Sequence, residues 1–150
     1  LNLLSDDIFI YFGLGCRNIS KIFVPNGYDI SKLKSKLGKY NYIKNHNKYS
    51  NNYNYQKTIK IMNNEVFIDC DFFLMSQSKE INPPISIIYY DFYDDLSQLR
   101  DLIKEKRNQI QCIVTNLKIN NSIRFGEAQD PKLDQYADNS DTINFLLTSS

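Results

Sequence analysis

Apolar residues recur at Leu3, Leu4, Ile8 and Tyr11 in the opening segment, with Asp6 and Asp7 on another side. That spacing predicts an amphipathic helix over 2–11, and Ser5 can also cap a start there. The helix stops at Gly13-Leu14-Gly15, where glycine permits turns that other residues resist. Ile22-Phe23-Val24, closed by Pro25, has the β-branched and aromatic character of a short strand. Asn26-Gly27 is a turn, after which Asp29 can cap a helix carrying Ile30, Leu33 and Leu37 and ending at Gly38.

Residues 40–56 break this rhythm with six Asn, five Tyr and the single histidine, His46. They read as a loop with Asx-turns or as a polar network at an interface. Helical spacing returns with Tyr55, Ile59 and Met62 and ends near Asn63-Asn64. Two short strands follow, over 66–68 and 72–75, and Pro83-Pro84 forces an extended connection. The run 85–90 is the strongest strand signal, expected to be central. Asp94-Asp95 then caps a helix with Leu96, Leu99, Leu102 and Ile103, and 110–115 is another strand. Beyond it, 116–121 reads as polar linker, Phe125-Gly126 as a turn and Pro131 as the start of a short helical turn. Asp141 can cap a tail helix with Ile143, Phe145, Leu146 and Leu147. Strands alternating with helices predict an α/β layered sheet. No repeat and no internal domain boundary is visible, so 1–150 is read as one unit.

Composition narrows the function classes. Of 150 residues, 42% are hydrophobic, enough for a core. A net charge of +1 removes the electrostatic case for a dedicated nucleic-acid binder. No run approaches the roughly 18 apolar residues of a membrane span and no signal peptide opens the chain, so a cytoplasmic product without a span is expected. The 18 Asn and 19 Ile fit the coding habit of an AT-rich genome better than a function. Leu1 in place of an initiator Met implies that the N-terminal end is cut or missing.

The cysteines Cys16, Cys70 and Cys112 have no paired spacing, which predicts neither a disulfide framework nor a zinc knuckle. Cys70 and Cys112 lie in or beside strand runs and read as core. Cys16 follows two glycines, has Arg17 beside it and Asn18 and Ser20 nearby. Such surroundings can activate a thiol as a nucleophile, and Gly15 leaves room for a substrate. The other reading is a small buried hydrophobe at a helix–strand junction. His46 is a candidate proton shuttle, although nothing in the sequence places it near Cys16, and a surface histidine is the plainer reading. Gly13-x-Gly15 lacks the third glycine and the preceding strand of a dinucleotide fingerprint. Glu65, Asp69 and Asp71 read as solvated turn carboxylates rather than metal ligands, so no metal is expected.

The run 7–21, Asp-Ile-Phe-Ile-Tyr-Phe-Gly-Leu-Gly-Cys-Arg-Asn-Ile-Ser-Lys, resembles the cysteine segment of the acyl-CoA reductase family. That family supplies long-chain aldehyde in bacterial luminescence, also occurs in non-luminous bacteria, and belongs to the aldehyde dehydrogenase superfamily. Pro25-Asn26-Gly27-Tyr28-Asp29, Asn45-His46-Asn47-Lys48-Tyr49, Asn52-Tyr53-x-Tyr55, the run 85–96, Phe125-Gly126-x-Ala128-Gln129 and Tyr136-Ala137-Asp138 through Phe145 are similar to family segments in family order.

The resemblance implies an aldehyde-dehydrogenase-like catalytic domain of three α/β/α layers, with 1–150 as its C-terminal catalytic part and the upstream nucleotide-binding region absent. It implies that Cys16 accepts the acyl group as a thioester, which hydride from NADPH reduces to fatty aldehyde. NADP(H) would be bound mainly by the upstream region. The Cys16 N–H would contribute to the oxyanion hole, with Arg17 and Asn18 in support, and Gly13, Leu14, Gly15, Phe125 and Gly126 would line the substrate or cofactor channel. His46 and Asn47 belong to a family-like segment without a catalytic role to transfer. Asn82-Pro83-Pro84 stands where the superfamily usually has Glu-x-Phe-Gly-Pro-like residues. Implied partners are long-chain acyl-CoA or an acyl-donor synthetase or transferase, and other copies of the full-length chain in an oligomer. The fragment alone is expected to show no turnover. Two other readings stand beside this one: an inactive structural or oligomerisation fragment, and a cysteine thioester hydrolase with His46 as base.

Overall fold

Helix α1 (Asn2–Phe9) buries Leu4 and Ile8, one turn apart, and Phe9 beside them. The coordinates are a computed structural model that describes residues 2–133, 135, 136 and 140–148. Leu1 and the Ala137-Asp138 pair of the family-like segment lie outside the described residues. α1 runs into a 3-10 turn, Ile10–Gly13, in which Tyr11 (φ 58°) and Phe12 (φ 59°) precede Gly13 (φ 72°) in left-handed backbone. The chain reversal therefore begins on two aromatic residues, before the glycines, at a cost of roughly 1–2 kcal/mol per residue.

A four-stranded mixed sheet follows, in the order β1-β4-β3-β2. Strands β1 (Lys21–Pro25), β3 (Leu74–Gln77) and β4 (Ile87–Tyr93) run parallel, and β2 (Ile68–Asp69) is antiparallel to β3. β4 lies between β1 and β3, as the strongest strand signal predicts. It starts at Ile87 rather than 85 because Ser86 sits at φ 69°, just after Pro83-Pro84. Period-two alternation sorts the faces. Ile22, Tyr90, Ile88 and Met75 meet α1, Leu33 and Leu37 in the main core. Leu74, Ile87 and Tyr89 point the other way, against Tyr53.

Helix α2 (Lys32–Lys36) forms where the leucine spacing places it, with the Asp29 carboxylate accepting from the Ser31 N–H at 3.1 Å. The Asn/Tyr stretch corrects the expectation of a loop. It forms a 3-10 segment, Gly38–Asn45, and then α3 (Asn47–Met62), sixteen residues long. Tyr40, Tyr49 and Tyr53 carry their rings inward, so burial against the sheet overrides weak intrinsic helix propensity. Asp95 caps α4 (Leu96–Glu105) by accepting from the Ser97 N–H at 3.1 Å. The expected strand 110–115 contracts to β5 (Ile113–Val114). It pairs in parallel with β6 (Ser122–Ile123), just after the stretch read as linker. Lys132 and Gln135 close a turn, with no helix among the described residues 131–136. Asp141 accepts from the Asn144 N–H at 2.9 Å and caps α5 (Thr142–Thr148). The chain is a mixed α/β protein, and no described helix is long and apolar enough to cross a membrane.

Candidate functional site

The segment from the end of α1 to β1 is shaped by Asn18. Its Nδ2 donates to the carbonyls of Asp7 (3.0 Å), Ile8 (3.1 Å) and Ile10 (3.0 Å), at the end of α1 and the start of the 3-10 turn, and the Asp7 carbonyl also accepts from the Ile19 N–H at 3.0 Å. Its Oδ1 accepts the Gly15 N–H at 2.7 Å, and its own N–H returns to the Gly15 carbonyl at 3.0 Å. A Cβ on Gly15 would stand 2.8 Å from Asn18 Oδ1, so this closure requires glycine. Cys16 is thereby held at the outer edge of a pinned turn, with its thiol exposed. Neither its thiol nor its N–H makes a hydrogen bond among the described residues.

A second set of bonds brings residues 125–129 against this turn. The Asp7 side chain, 1% exposed, accepts from the Gly126 N–H at 2.7 Å and the Ala128 N–H at 3.0 Å. Burial pushes its pKa above the ordinary value, and nearby Asp6 and Glu127 add to that, against the pull of the two amides. Arg17 is buried as well. Its Nε donates to the Ala128 carbonyl at 2.6 Å and its Nη2 to Gln135 Oε1 at 3.4 Å. Gly126 adopts φ 90°, and a Cβ there would meet Leu3 at 3.1 Å.

Cys16 lines a cavity of about 400 Å³ together with residues of β1 and β5. Its walls are largely apolar, with Ile19, Val24, Leu99, Ile103 and Phe125 among them. Cys112 lines the same space and donates its thiol to the Arg17 carbonyl at 3.5 Å. Burial raises its pKa, which the Arg17 charge partly offsets. Cys70 lies 3% exposed in the core, its thiol pushed up to about 12 by burial.

No family model, curated protein or solved structure matches this chain. Its chemistry is to be read from the turn and the cavity themselves.

The structure brings Cys16 and Phe125 to one cavity although they are distant in sequence, and Gly126 sits beside them on Asp7. Gly13 opens instead on a separate cavity of about 90 Å³, and Leu14 is 63% exposed. Arg17 and Asn18, expected to support an oxyanion, hold the scaffold. The guanidinium binds Ala128 and Gln135, and the amide binds backbone. His46 precedes α3, exposed, with its ring 4.6 Å from that of Phe12, and no hydrogen bond among the described residues joins it to Cys16. Asn47 is exposed at the first turn of α3. Glu65 pairs with Lys60 at 2.7 Å and Asp69 with Lys57 at 2.6 Å.

A dinucleotide would need a glycine-rich turn leading from a strand into a helix N-terminus. Gly13 and Gly15 lie between a helix and a strand, in the reverse order, and Gly27 stands alone between β1 and the five-residue α2. These residues do not fit the pyrophosphate of NADP(H). Sequence reasoning passed over Asp7, which it placed on the polar side of α1, and took Cys112 for core. No local pattern marks either, because their partners lie more than ninety residues away.

Proposed function

We propose that this chain carries the acyl-accepting site of a long-chain acyl-CoA reductase, with Cys16 as the residue acylated. On this reading the mixed sheet and its helices belong to the three-layered catalytic domain of an aldehyde-dehydrogenase-like protein, and the whole protein is an NADPH-dependent oxidoreductase of the cytoplasm. The observation that carries the proposal is an exposed thiol and its own N–H, both unpartnered among the described residues, on a residue that lines a largely apolar cavity of about 400 Å³. That volume falls in the range of small-molecule sites, roughly 300–1,000 Å³.

The nucleophile in acyl transfer is the thiolate form of the Cys16 side chain. The thiolate attacks the thioester carbonyl, the Cys16 N–H donates to the developing oxyanion, and the coenzyme A sulfur leaves with its electron pair. The cavity beside Cys16 accommodates the acyl tail. Each methylene buried there contributes about 0.8 kcal/mol, or about fourfold in acylation efficiency, until the cavity is full. A hydrolase requires a base at the sulfur, and His46 instead lies against Phe12. The geometry favours acyl storage over hydrolysis.

The test is to mix the protein with radiolabelled acyl-CoA of increasing chain length and follow a hydroxylamine-sensitive adduct. Label on Cys16, rising with chain length and absent from Cys16→Ala, is expected. Label that survives Cys16→Ala removes the site.

A further inference from the structure

The cavity beside Cys16 has a direction, set by the order in which the chain lines it. Cys16 precedes β1, and every residue from Asn18 to Val24 lines the space. Ser20 to Val24 is four steps of about 3.3 Å, so the cavity extends roughly 13 Å along the strand. On the opposite wall Cys112 stands at the Cys16 end, because its Sγ donates to the Arg17 carbonyl at 3.5 Å. Residues 113–115 and Leu117 continue the lining from there.

Helix α4 supplies the other end. The N–H of Asn26, just past β1, donates to the Tyr93 carbonyl at 2.9 Å, and its Nδ2 donates to Asp94 Oδ1 at 2.8 Å. The start of α4 is thereby held beside the C-terminal end of β1. Arg100 Nη2 donates to the Lys118 carbonyl at 3.3 Å, which brings the first turns of α4 to the end of the opposite wall as well. Leu99 lies between these two ties, is the buried residue of α4 and lines the cavity. Val24, on β1 at the same end, is buried too.

An extended alkyl chain advances about 1.25 Å per carbon, from bonds of about 1.52 Å meeting at about 111°. Roughly ten carbons therefore cover the stretch from Ser20 to Val24. We infer that the acyl tail leaves Cys16 along β1 and that Leu99, with Val24, stops its far end. These two side chains then set the longest acyl group the site accepts. The inference rests on the acylation proposed above and names the residues that determine its chain-length specificity. An octanoyl tail, about 10 Å long, ends short of them, whereas a palmitoyl tail, about 20 Å long, reaches them.

The test compares the rates at which octanoyl-, palmitoyl- and stearoyl-CoA acylate Cys16. Each methylene kept out of the cavity costs about fourfold in rate. Leu99→Trp excludes two or more of them from a palmitoyl tail, so the palmitoyl-to-octanoyl ratio is expected to fall by about tenfold or more. Leu99→Ala opens the far end, and its stearoyl-to-palmitoyl ratio is expected to rise by about fourfold or more. The second variant carries the test if the first does not fold. An unchanged ratio in either folded variant, whether both rates hold or fall together, overturns the inference and leaves Leu99 as packing alone. A parent protein that is alkylated at Cys16 by iodoacetamide but takes no acyl label refutes the proposed function and this inference with it. A parent that labels, with Leu99 variants that keep its ratios, refutes this inference alone.

Discussion

The three cysteines show how one side chain acquires three characters from its surroundings. Cys70 is packed 3% exposed among phenylalanines, and burial pushes its thiol up to about 12. Cys112 is half-buried at the cavity wall and raised for the same reason, while Cys16 stands in solvent on its turn. Since the thiolate is the reactive form, brief treatment of the native protein with iodoacetamide at pH 8 should modify Cys16 alone. Peptide mass mapping checks this. Cys16→Ser should abolish the early modification, and denaturant should make all three sites react. Rapid labelling of Cys70 in the native protein would contradict its placement in the core. The assignment of Cys70 was legible because strand residues flank it on both sides. Cys112 has the same local pattern, and only its contact with Arg17, set by the tertiary fold, distinguishes it.

At the scale of elements, the Cys16 turn depends on Asn18 more than on the residues that give it its apparent chemistry. Asn18→Ala removes the donor shared by three carbonyls at the end of α1 and the acceptor of the Gly15 N–H. A loss of about 1–3 kcal/mol of stability is expected, together with roughly tenfold or greater loss of hydrogen-exchange protection at Gly15. Exchange followed by NMR checks the second effect, and unchanged protection would show that Gly15 is held by something else. The periodic elements α1, β1, β4 and α4 were legible because each has its apolar spacing written locally. The C-terminal half of α3 was legible from Tyr55, Ile59 and Met62, but the 3-10 segment and the first half of α3 were not, since asparagine and tyrosine are weak helix formers and the tyrosines reveal their role only against the sheet. β5 and β6, two residues each, are defined by pairing with one another rather than by their own sequence. The candidate site was half legible: Cys16, its candidate nucleophile, lies in a turn marked by two glycines, but the residues that frame that turn come from opposite ends of the chain.

For the whole molecule, buried and paired carboxylates act in opposite directions as pH changes. α3 is fastened to β2 by the ion pair of Lys57 with Asp69 at 2.6 Å and by the Tyr53 hydroxyl donating to Asp69 at 2.6 Å, while Lys60 pairs at 2.7 Å with Glu65, just past the end of its own helix. Burial works to raise the Asp69 pKa, but the bonds from Lys57, Tyr53 and the Asp71 N–H outweigh it and hold the carboxyl below its ordinary 3.8. The bond from Lys60 holds Glu65 below its ordinary 4.5. Their contribution is therefore complete above those ordinary values and disappears as pH falls through the depressed ones. Asp7 behaves oppositely. Its folded pKa lies above 3.8, so its contribution is fully present below 3.8 and is lost as pH rises through the raised value. Urea midpoints measured from pH 2.5 to 7 should separate the two. Asp69→Asn should lower the midpoint at pH 6 and converge on the parent at pH 2.5. Asp7→Asn loses an acceptor for one of the Gly126 and Ala128 N–H groups, so it should be least stable relative to the parent at low pH and recover ground as pH rises. Parallel curves for both variants would mean that neither carboxylate changes its protonation energetics on folding. The strut between α1 and residues 126–128 would then owe nothing to the burial of its charge.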